Sequence, residues 1–293
     1  MRFFTTSGFL LGLLTLGSSA CAIGIHGESV VTHEEKRFTV SGDPDVSLRT
    51  FDGSIQVRSW DQQDVRVEIE RRAFDARAAA DLAVNVTQNG NSIVIDAPNP
   101  PKIVGFVIGA SSSVSLIVTV PRRLTLEART GDGSIAVEDL TGAIVLHTGD
   151  GAIKVTRLSG DLKLHTGDGS IRVEDLAGKV DAETGDGSID LAGRLDAVHV
   201  KTGDGSVRVR AGDGSAVASD WSITTGDGSI DLRLPAAIDA ELDAHTNDGS
   251  IRASGLDGAK TEGDDRHTVR GRLGKGGRTL RVRTGDGSIA ISR

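Results

Sequence analysis

Five aspartates recur at a fixed spacing of 18 residues and form the clearest set of candidate metal ligands in the sequence. Each lies inside a Thr-Gly-Asp-Gly phrase, and the five are Asp132, Asp150, Asp168, Asp186 and Asp204. If successive repeats stack, these carboxylates form a column a few ångströms apart. Calcium binds such oxygen ligands, as it does in Gly-Asp-rich β-rolls.

The surrounding residues argue against a calcium site. The aspartate precedes Gly-Ser-Ile instead of standing two residues before the strand hydrophobe. The second half of the repeat has no constant acidic residue, because Glu138 and Asp139 become Thr156 and Arg157. An aspartate can also bond the backbone two residues ahead and make an Asx turn. We therefore favour structural Asx turns and keep a calcium-stabilised β-roll as an alternative.

Two histidines share the same period and are a second candidate for metal binding. His147 and His165 are 18 residues apart, and His245 occupies the equivalent slot further along. Stacked imidazoles can bind zinc or copper. The same slot also holds other residue types, namely Glu183, Lys201 and Thr224. We therefore expect an exposed column of mixed character and predict no metal site.

Charges of alternating sign fall on one outward column, which contains Arg172, Asp190, Arg208, Asp231 and Arg252. Opposite charges on neighbouring strands pair with each other, at a modest gain in stability when they are exposed. We interpret this column as cross-coil ion pairing and not as an active site.

No catalytic constellation is assembled in the sequence. The one compact cluster of catalytic residue types is Asp264-Asp265-Arg266-His267 in a Gly-rich segment. Loops concentrate function, but a solvated charge run is the simpler interpretation. The chain contains no Tyr, and we expect both Trp to face inward, so an aromatic platform for sugars is missing. We predict no enzyme, with an enzyme acting on envelope polysaccharide as the alternative.

The residues above are positioned by a repeat. Thr-Gly-Asp-Gly-Ser-Ile, or a one-residue variant, begins at Thr130, Thr148, Thr166, Thr184 and Thr202. A short fixed period with constant turn chemistry is typical of a solenoid in which one repeat is one coil. Aliphatic residues alternate on both sides of the phrase, as in Ile135 and Val137 after it and Ile144 and Leu146 before the next. These alternations predict two short strands per coil.

Two corners would join these strands, the Gly-Asp-Gly phrase and a second corner such as Leu140-Thr141-Gly142. We expect the glycines to supply positive φ and the Ser and Thr hydroxyls to cap neighbouring amides.

The same pattern persists outside the regular array. Further copies centre on Thr50, Thr225, Thr246 and Thr284, which gives nine in all. Gly212 to Ser215 reads as an extra half-coil corner, and residues 256–279 as an inserted Gly- and charge-rich loop before the final coil. Trp60 takes the slot of Leu140 and is expected to fill the core.

Residues 36–128 predict a less regular β portion. Strands are expected at Lys36 to Val40, at Asp64 to Glu70 and within Ile103 to Val120, with Pro121 at an edge or bend. One or two helical turns are expected within Phe74 to Val84. Asn89-Gly90 predicts a tight turn.

The first 20 residues read as an export signal. Arg2 precedes an apolar run from Phe9 to Leu16, and small residues lead to Ala20. Cys21 follows, as in the lipobox of bacterial lipoproteins, although Ser18 stands where Leu is usual. Acylation of Cys21 and plain cleavage with a free thiol are both open. Residues 21–35 would form a linker, and the mature chain an outer-membrane lipoprotein in the periplasm or at the cell surface.

Composition fits an exported β-protein. The chain has 293 residues, 38 of them Gly, with 3% aromatic and 38% hydrophobic residues. Such a Gly-rich, aromatic-poor composition suits many tight turns. Its net charge is −8, and we see no basic stripe. We therefore expect no nucleic-acid partner, and membrane contact only through a lipid on Cys21. A single cysteine allows no disulfide within the chain.

From Lys36 to Arg293 the chain resembles the bacterial putative-adhesin family of β-strand-repeat domains of unknown function. The resemblance rests on the lipoprotein-like start, on Thr-Phe-Asp-Gly-Ser-Ile-Gln-Val followed by Trp60, on Val118-Thr119-Val120-Pro121 and on the repeated Thr-Gly-Asp-Gly-Ser-Ile. It implies an exported β-solenoid and supplies no catalytic residues.

The sequence thus predicts an all-β protein: a parallel β-helix, or β-solenoid, with 18-residue coils over residues 129–293, preceded by the irregular β portion at 36–128. We predict a non-enzymatic adhesin or partner-binding scaffold of the cell envelope or surface, without a cofactor. Its partner would be an envelope or surface protein or a glycan. No oligomeric state is predicted.

Overall fold

The computed structural model describes residues 23–26, 29–100, 112–256, 259–261 and 266–293. The predictions for the signal peptide, for Cys21, for Ile103 to residue 111 and for Asp264 and Asp265 lie outside these residues. Of the described residues, 64% are strand and 2% are helix, so the prediction of an all-β solenoid is confirmed. Within the described residues, no helix has the length and apolar character needed to cross a membrane.

The N-terminal half contains strands β1 (Ile23–His26), β2 (Ser29–Thr39), β3 (Asp45–Thr50), β4 (Ile55–Trp60) and β5 (Asp64–Ala73), helix α1 (Ala76–Asp81), and strands β6 (Asn85–Asn89), β7 (Ser92–Ala97), β8 (Ser113–Pro121) and β9 (Arg123–Arg129). The regular array consists of β10 (Ile135–His147), β11 (Ile153–Thr166), β12 (Ile171–Thr184) and β13 (Ile189–Thr202).

The C-terminal part contains β14 (Val207–Ala211), β15 (Trp221–Thr225), β16 (Ile230–Arg233), β17 (Ala240–Thr246), β18 (Ile251–Ser254), β19 (Ala259–Thr261), β20 (Thr268–Leu273), β21 (Thr279–Thr284) and β22 (Ile289–Ser292).

Each coil of the regular array is one bent strand and not the two short strands that we predicted. β10 pairs with β11 in parallel, from Ile135 opposite Ile153 to His147 opposite His165, straight through the second corner. The backbone bends there at Asp139, with φ 63°, and at Gly142, with φ 140°. Two left-handed residues turn the chain while the ladder of hydrogen bonds to the next coil continues.

The core is a set of stacked aliphatic ladders, as the alternation predicted. Ile135, Ile153, Ile171 and Ile189 lie in register on successive coils and are at most 1% exposed. Burial of one such side chain contributes roughly 1.5–3 kcal/mol, so stability accumulates along the stack.

The two tryptophans differ, and one prediction about them is wrong. Trp221 is fully buried, as expected. Trp60 is only half-buried, because it ends β4 at the rim of the coil, opposite Pro121. Its indole Nε1 donates to the carbonyl oxygen of Asp64 at 2.8 Å, and the guanidinium of Arg66 lies 5.5 Å from the ring centre.

The predicted positive φ is confirmed for the second-corner glycines and for Gly53, but the glycines of the Thr-Gly-Asp-Gly phrase in the regular array are required by close approach instead. Gly131, Gly133 and their equivalents in β10 to β13 are absent from the left-handed region, which Gly53 and the second-corner glycines occupy. A Cβ at Gly187 would overlap the carbonyl oxygen of Gly169 in the preceding coil. The corners therefore stack backbone on backbone, with no room for a side chain between them.

The order of coils in the stack differs from their order in the sequence at both ends. The first copy, β3 and β4, lies between β7 and β8 on one side and β9 and β10 on the other. The last copy, β21 and β22, lies between β15 and β16 and the earlier coil of β17 and β18. The copy at Thr284 is thus the last in the chain but not the last in the stack.

Antiparallel strands cover parts of both ends of the stack. β5 pairs with β8 and β2 pairs with β5 at one end, and β20 pairs with β17 at the other. Terminal coils expose unpaired backbone N–H and C=O groups along their strand edges unless something covers them. The described part of the predicted loop 256–279 contains two strands, β19 and β20, and β20 covers the terminal strand β17, so this part is not a simple loop.

The helix and the tight turn predicted for the N-terminal portion are confirmed, but the linker predicted at residues 21–35 is wrong, because its described residues belong to the paired strands β1 and β2. Asp75 caps helix α1, with its side chain accepting a hydrogen bond from Ala78 N at 2.7 Å. β6 and β7 form an antiparallel hairpin that turns at Gly90, with φ 60°.

Candidate functional site

The five aspartates of the repeat form the predicted exposed column but not the predicted Asx turns. In the described part of the chain, none of the side chains of Asp132, Asp150, Asp168, Asp186 and Asp204 forms a hydrogen bond or an ion pair. Nor do three or more His, Cys, Asp or Glu side chains among the described residues come together as a metal site.

The threonine of each phrase holds the corner instead. Thr184 Oγ1 donates to the carbonyl oxygens of Gly169 at 2.9 Å and Gly167 at 3.1 Å, both in the preceding coil. Thr148 and Thr166 make the equivalent bonds, and all three side chains are buried. The hydroxyls therefore mainly satisfy carbonyl groups between coils. The amide capping that we had expected occurs at Thr225 and Thr284, whose Oγ1 atoms accept from Gly228 N and Gly287 N, both at 3.3 Å.

The histidine pair is stacked as predicted. The rings of His147 and His165 have their centres 4.8 Å apart and are inclined by 3°. Burial lowers the pKa of His147, and the positive charges of His165 and Arg129 lower it further. His165 Nδ1 lies 3.8 Å from a carboxylate oxygen of Glu183.

His245 does not join this pair. Arg283 of the intercalated coil separates it from Thr224. Its ring nitrogens lie 3.0 Å from Thr268 Oγ1 and 3.2 Å from Asn247 Oδ1.

The serines of the repeat line a groove on one face of the stack, which we call the serine groove. It has a volume of about 640 Å³ and crosses the coils from β11 to β18. Its first wall is the row of short side chains that follow the corners: Ala152, Ser170, Ser188, Ser206, Ser229, Ser288 and Ser250. The second wall consists of the residues two positions further along each coil, which are charged except for one alanine: Lys154, Arg172, Asp190, Arg208, Asp231, Ala290 and Arg252.

Ion pairs neutralise the middle of the second wall, as the sequence predicted. Arg208 lies 3.6 Å from Asp190 and 3.8 Å from Asp231, and Arg210 lies 2.9 Å from Asp190. Arg252 takes no part, because Ala290 of the intercalated coil stands between it and Asp231. The predicted neighbour relationship between Asp231 and Arg252 is therefore wrong.

A second, smaller hollow of about 340 Å³ lies on another face, lined in part by Asp161, Lys163, Lys179 and His199. The Lys179 ammonium lies 3.7 Å from Asp161, so this face carries an ion pair.

The end of the chain contains a basic segment that our sequence analysis missed. Residues 266–293 include eight basic residues and one acidic residue, which leaves 25 of the 33 basic and 40 of the 41 acidic residues for the first 265 positions. The net charge of the whole chain hides this asymmetry. Counting basic and acidic residues segment by segment along the sequence would have found it.

Much of this basic charge is used inside the fold. Arg283 and Arg270 bind the carboxylate of Asp243, and Arg272 Nε lies 3.0 Å from Glu241. Burial acts to raise the pKa of Asp243, but the hydrogen bonds from Arg283 and Arg270 outweigh it, and the pKa is lowered. These pairs tie the intercalated coil and the capping strand β20 to β17.

The chain matches several solved structures at low sequence identity and with TM-scores below 0.5. A putative lipid binding protein from Parabacteroides distasonis has 14% identity and a TM-score of 0.48, with 89% of this chain and 97% of that chain covered. A putative adhesin from Bacteroides fragilis has 11% identity and a TM-score of 0.44, with 89% and 96% covered. A putative cell adhesion protein from Clostridium sporogenes has 13% identity and a TM-score of 0.32, with 89% of this chain and 99% of that chain covered.

No curated protein matches the chain. One family model matches almost all of the solenoid, residues 44–292. The matched range runs from just before β3 to the end of β22, so it includes both intercalated coils and the serine groove. The chain therefore belongs to the Toastrack DUF4097 family.

Proposed function

We propose that this protein is a non-enzymatic binding scaffold of the cell envelope or surface, and that it holds an elongated partner along the serine groove. The single observation that carries the proposal is the groove itself. It presents the same polar groups again and again, one coil apart, along a continuous depression of about 640 Å³. A site for a small substrate needs a few converging groups, whereas a row of equivalent groups suits a partner with its own repeat.

The rigidity of the groove supports this role. All the strands under it except the terminal β18 are paired on both sides, and their inward isoleucines and valines are fully buried, whereas Ile251 of β18 is half-buried. The serines and charges are thus held in place before a partner arrives, which lowers the entropy cost of binding. Export by the N-terminal signal, and attachment through Cys21, would place this surface in the envelope.

Co-sedimentation of the mature protein with isolated envelope fragments of the producing cells tests the proposal. We expect the wild-type chain to sediment. A variant with Ser188→Trp and Ser206→Trp, which fills the middle of the groove, should bind at least about tenfold more weakly. Ser159→Trp is the matched control, because Ser159 is also exposed but lies outside the groove lining.

Three results would overturn the proposal: failure of the wild-type chain to sediment, equal binding by the groove-filled variant, or recovery of the tagged protein from the cytoplasm. Release of soluble sugar fragments during the incubation would favour the alternative of an enzyme acting on envelope polysaccharide. Thermal melts of all three proteins check that the tryptophans leave the fold intact.

A further inference from the structure

We propose that the ligand of the serine groove is a linear anionic glycan, with an acidic group held by Lys154 and Arg172. This inference rests on the proposed function, since it assigns a chemical class to the partner of the same groove. It depends on three features: an unneutralised cation pair, the hydroxyl row beside it, and the pairing of the strands beneath.

Lys154 and Arg172 are like charges placed side by side. They are register partners on β11 and β12, so their backbones are about 4.8 Å apart, and both side chains are exposed. In the described part of the chain neither side chain forms an ion pair or a hydrogen bond. Like charges directly opposite each other on neighbouring strands destabilise a sheet. A carboxylate or phosphate group between them removes that repulsion.

The rest of the groove is close to neutral until its far end. Asp190 and Asp231 are balanced by Arg208, which lies close to both, and by Arg210, which pairs with Asp190. Arg252, again exposed, follows five coil steps after Arg172, at a distance of about 24 Å. A polymer with separated acidic groups can therefore reach both cationic ends while its uncharged part crosses the middle.

The serine row points to a sugar polymer. Each serine hydroxyl can donate one hydrogen bond and accept two, as can the hydroxyls of a glycan. A peptide that adds as a strand needs unpaired backbone groups. Of the groove strands, β11, β12, β13, β14, β16 and β22 are paired on both sides, and only β18 at the far end pairs on one side. A single-stranded nucleic acid needs aromatic platforms for its bases, and the groove lining contains no aromatic residue.

Fluorescence anisotropy with labelled polygalacturonate, a linear polysaccharide with one carboxylate on each sugar, tests the inference. We expect the wild-type protein to bind polygalacturonate at about 20 mM NaCl and to bind several-fold more weakly at about 200 mM, because the contacts are exposed charges. Neutral dextran should not bind. The double variant Lys154→Glu and Arg172→Glu should lose at least about tenfold in affinity.

Lys163→Glu is the matched charge control, because Lys163 lies on the same strand β11 but lines the hollow on another face. It should bind polygalacturonate like the wild type. Thermal melts establish that all variants are folded.

Equal binding by the double variant would overturn the inference, and so would equal affinity for poly-L-glutamate, which would make the groove a general polyanion site. If polygalacturonate fails to bind but the groove-filling tryptophans still abolish envelope binding, the anionic glycan is wrong and the scaffold stands. If the tryptophan variant also sediments normally, both proposals fall.

Discussion

Thr184 Oγ1 lies 2.9 Å from the carbonyl oxygen of Gly169, one coil earlier in the stack, and both groups are shielded from water. The same bond joins Thr202 to Gly187 and Thr225 to Gly205. This inter-coil contact is a direct chemical reason for the first residue of the repeated phrase.

Replacing Thr184 by Val should therefore destabilise the protein by about 1–3 kcal/mol, because the shape is kept but a buried carbonyl loses its donor. Thr156→Val is the matched control and should change stability by less than about 0.5 kcal/mol, since Thr156 points outward on β11. Thermal melts report the difference as a shift of about 2–4 °C per kcal/mol. Equal melting temperatures for the two variants would contradict the assignment.

Gly187→Ala should be more damaging than its small size suggests. Its Cβ would overlap the carbonyl of Gly169, and relieving that overlap requires two coils to separate. We expect a loss of at least about 1–3 kcal/mol, as for overpacked cores, or failure to fold. Asp186→Ala, at the exposed neighbouring position, should be close to neutral. A well-folded Gly187→Ala protein with unchanged melting temperature would show that the corners are not in backbone contact.

The position of the last coil can be tested with cysteine pairs in a Cys21→Ser background. Ser222 and Arg281 are register partners on adjacent strands, whereas Asp243 lies one strand further on. The Ser222→Cys, Arg281→Cys pair should therefore form a disulfide under mild oxidation, and the Ser222→Cys, Asp243→Cys pair should not, because Cα atoms more than about 7 Å apart cannot be bridged. Stacking in sequence order predicts the reverse result, which gel mobility would reveal.

Stability should rise with pH across the titration of His147. Its pKa is lowered in the folded protein from the ordinary value of 6.5, so the unfolded chain binds the proton more tightly. The contribution is fully present above pH 6.5 and is lost as the pH falls from there through the lowered folded pKa. His147→Asn should flatten the dependence of the urea midpoint on pH in that window.

Replacement of the exposed His199 by Asn is the matched control for the substitution, because His199 lies outside the stacked pair. An identical pH profile for wild type and His147→Asn would contradict the role of the stacked pair.

Calcium should have little effect on the fold. The hydrogen bonds and buried ladders that hold the coils do not involve the aspartate column. We expect the β circular dichroism and the melting temperature to agree, within about 2 °C, between excess EGTA and about 1 mM calcium, the range in which extracellular calcium modules are loaded. A large gain of β signal with calcium would instead favour the β-roll alternative.

The sequence by itself determined the coil and its interior. The 18-residue period, the alternation of Ile135 and Val137 and the recurrence of the phrase at Thr50, Thr225, Thr246 and Thr284 were sufficient to predict stacked ladders, because inward burial depends only on local periodicity. The stacking of His147 on His165 followed from the same period.

Only the tertiary structure decided which coil lies beside which. All copies carry equivalent inward residues, so any of them can pack against any other, and the sequence does not show that β21 enters between β15 and β17. That choice separates Arg252 from Asp231 and brings Ser288 into the serine row. The tertiary structure also explains why glycine is required in the Thr-Gly-Asp-Gly corners. The atoms that a Cβ would overlap belong to the neighbouring coil and not to the local turn.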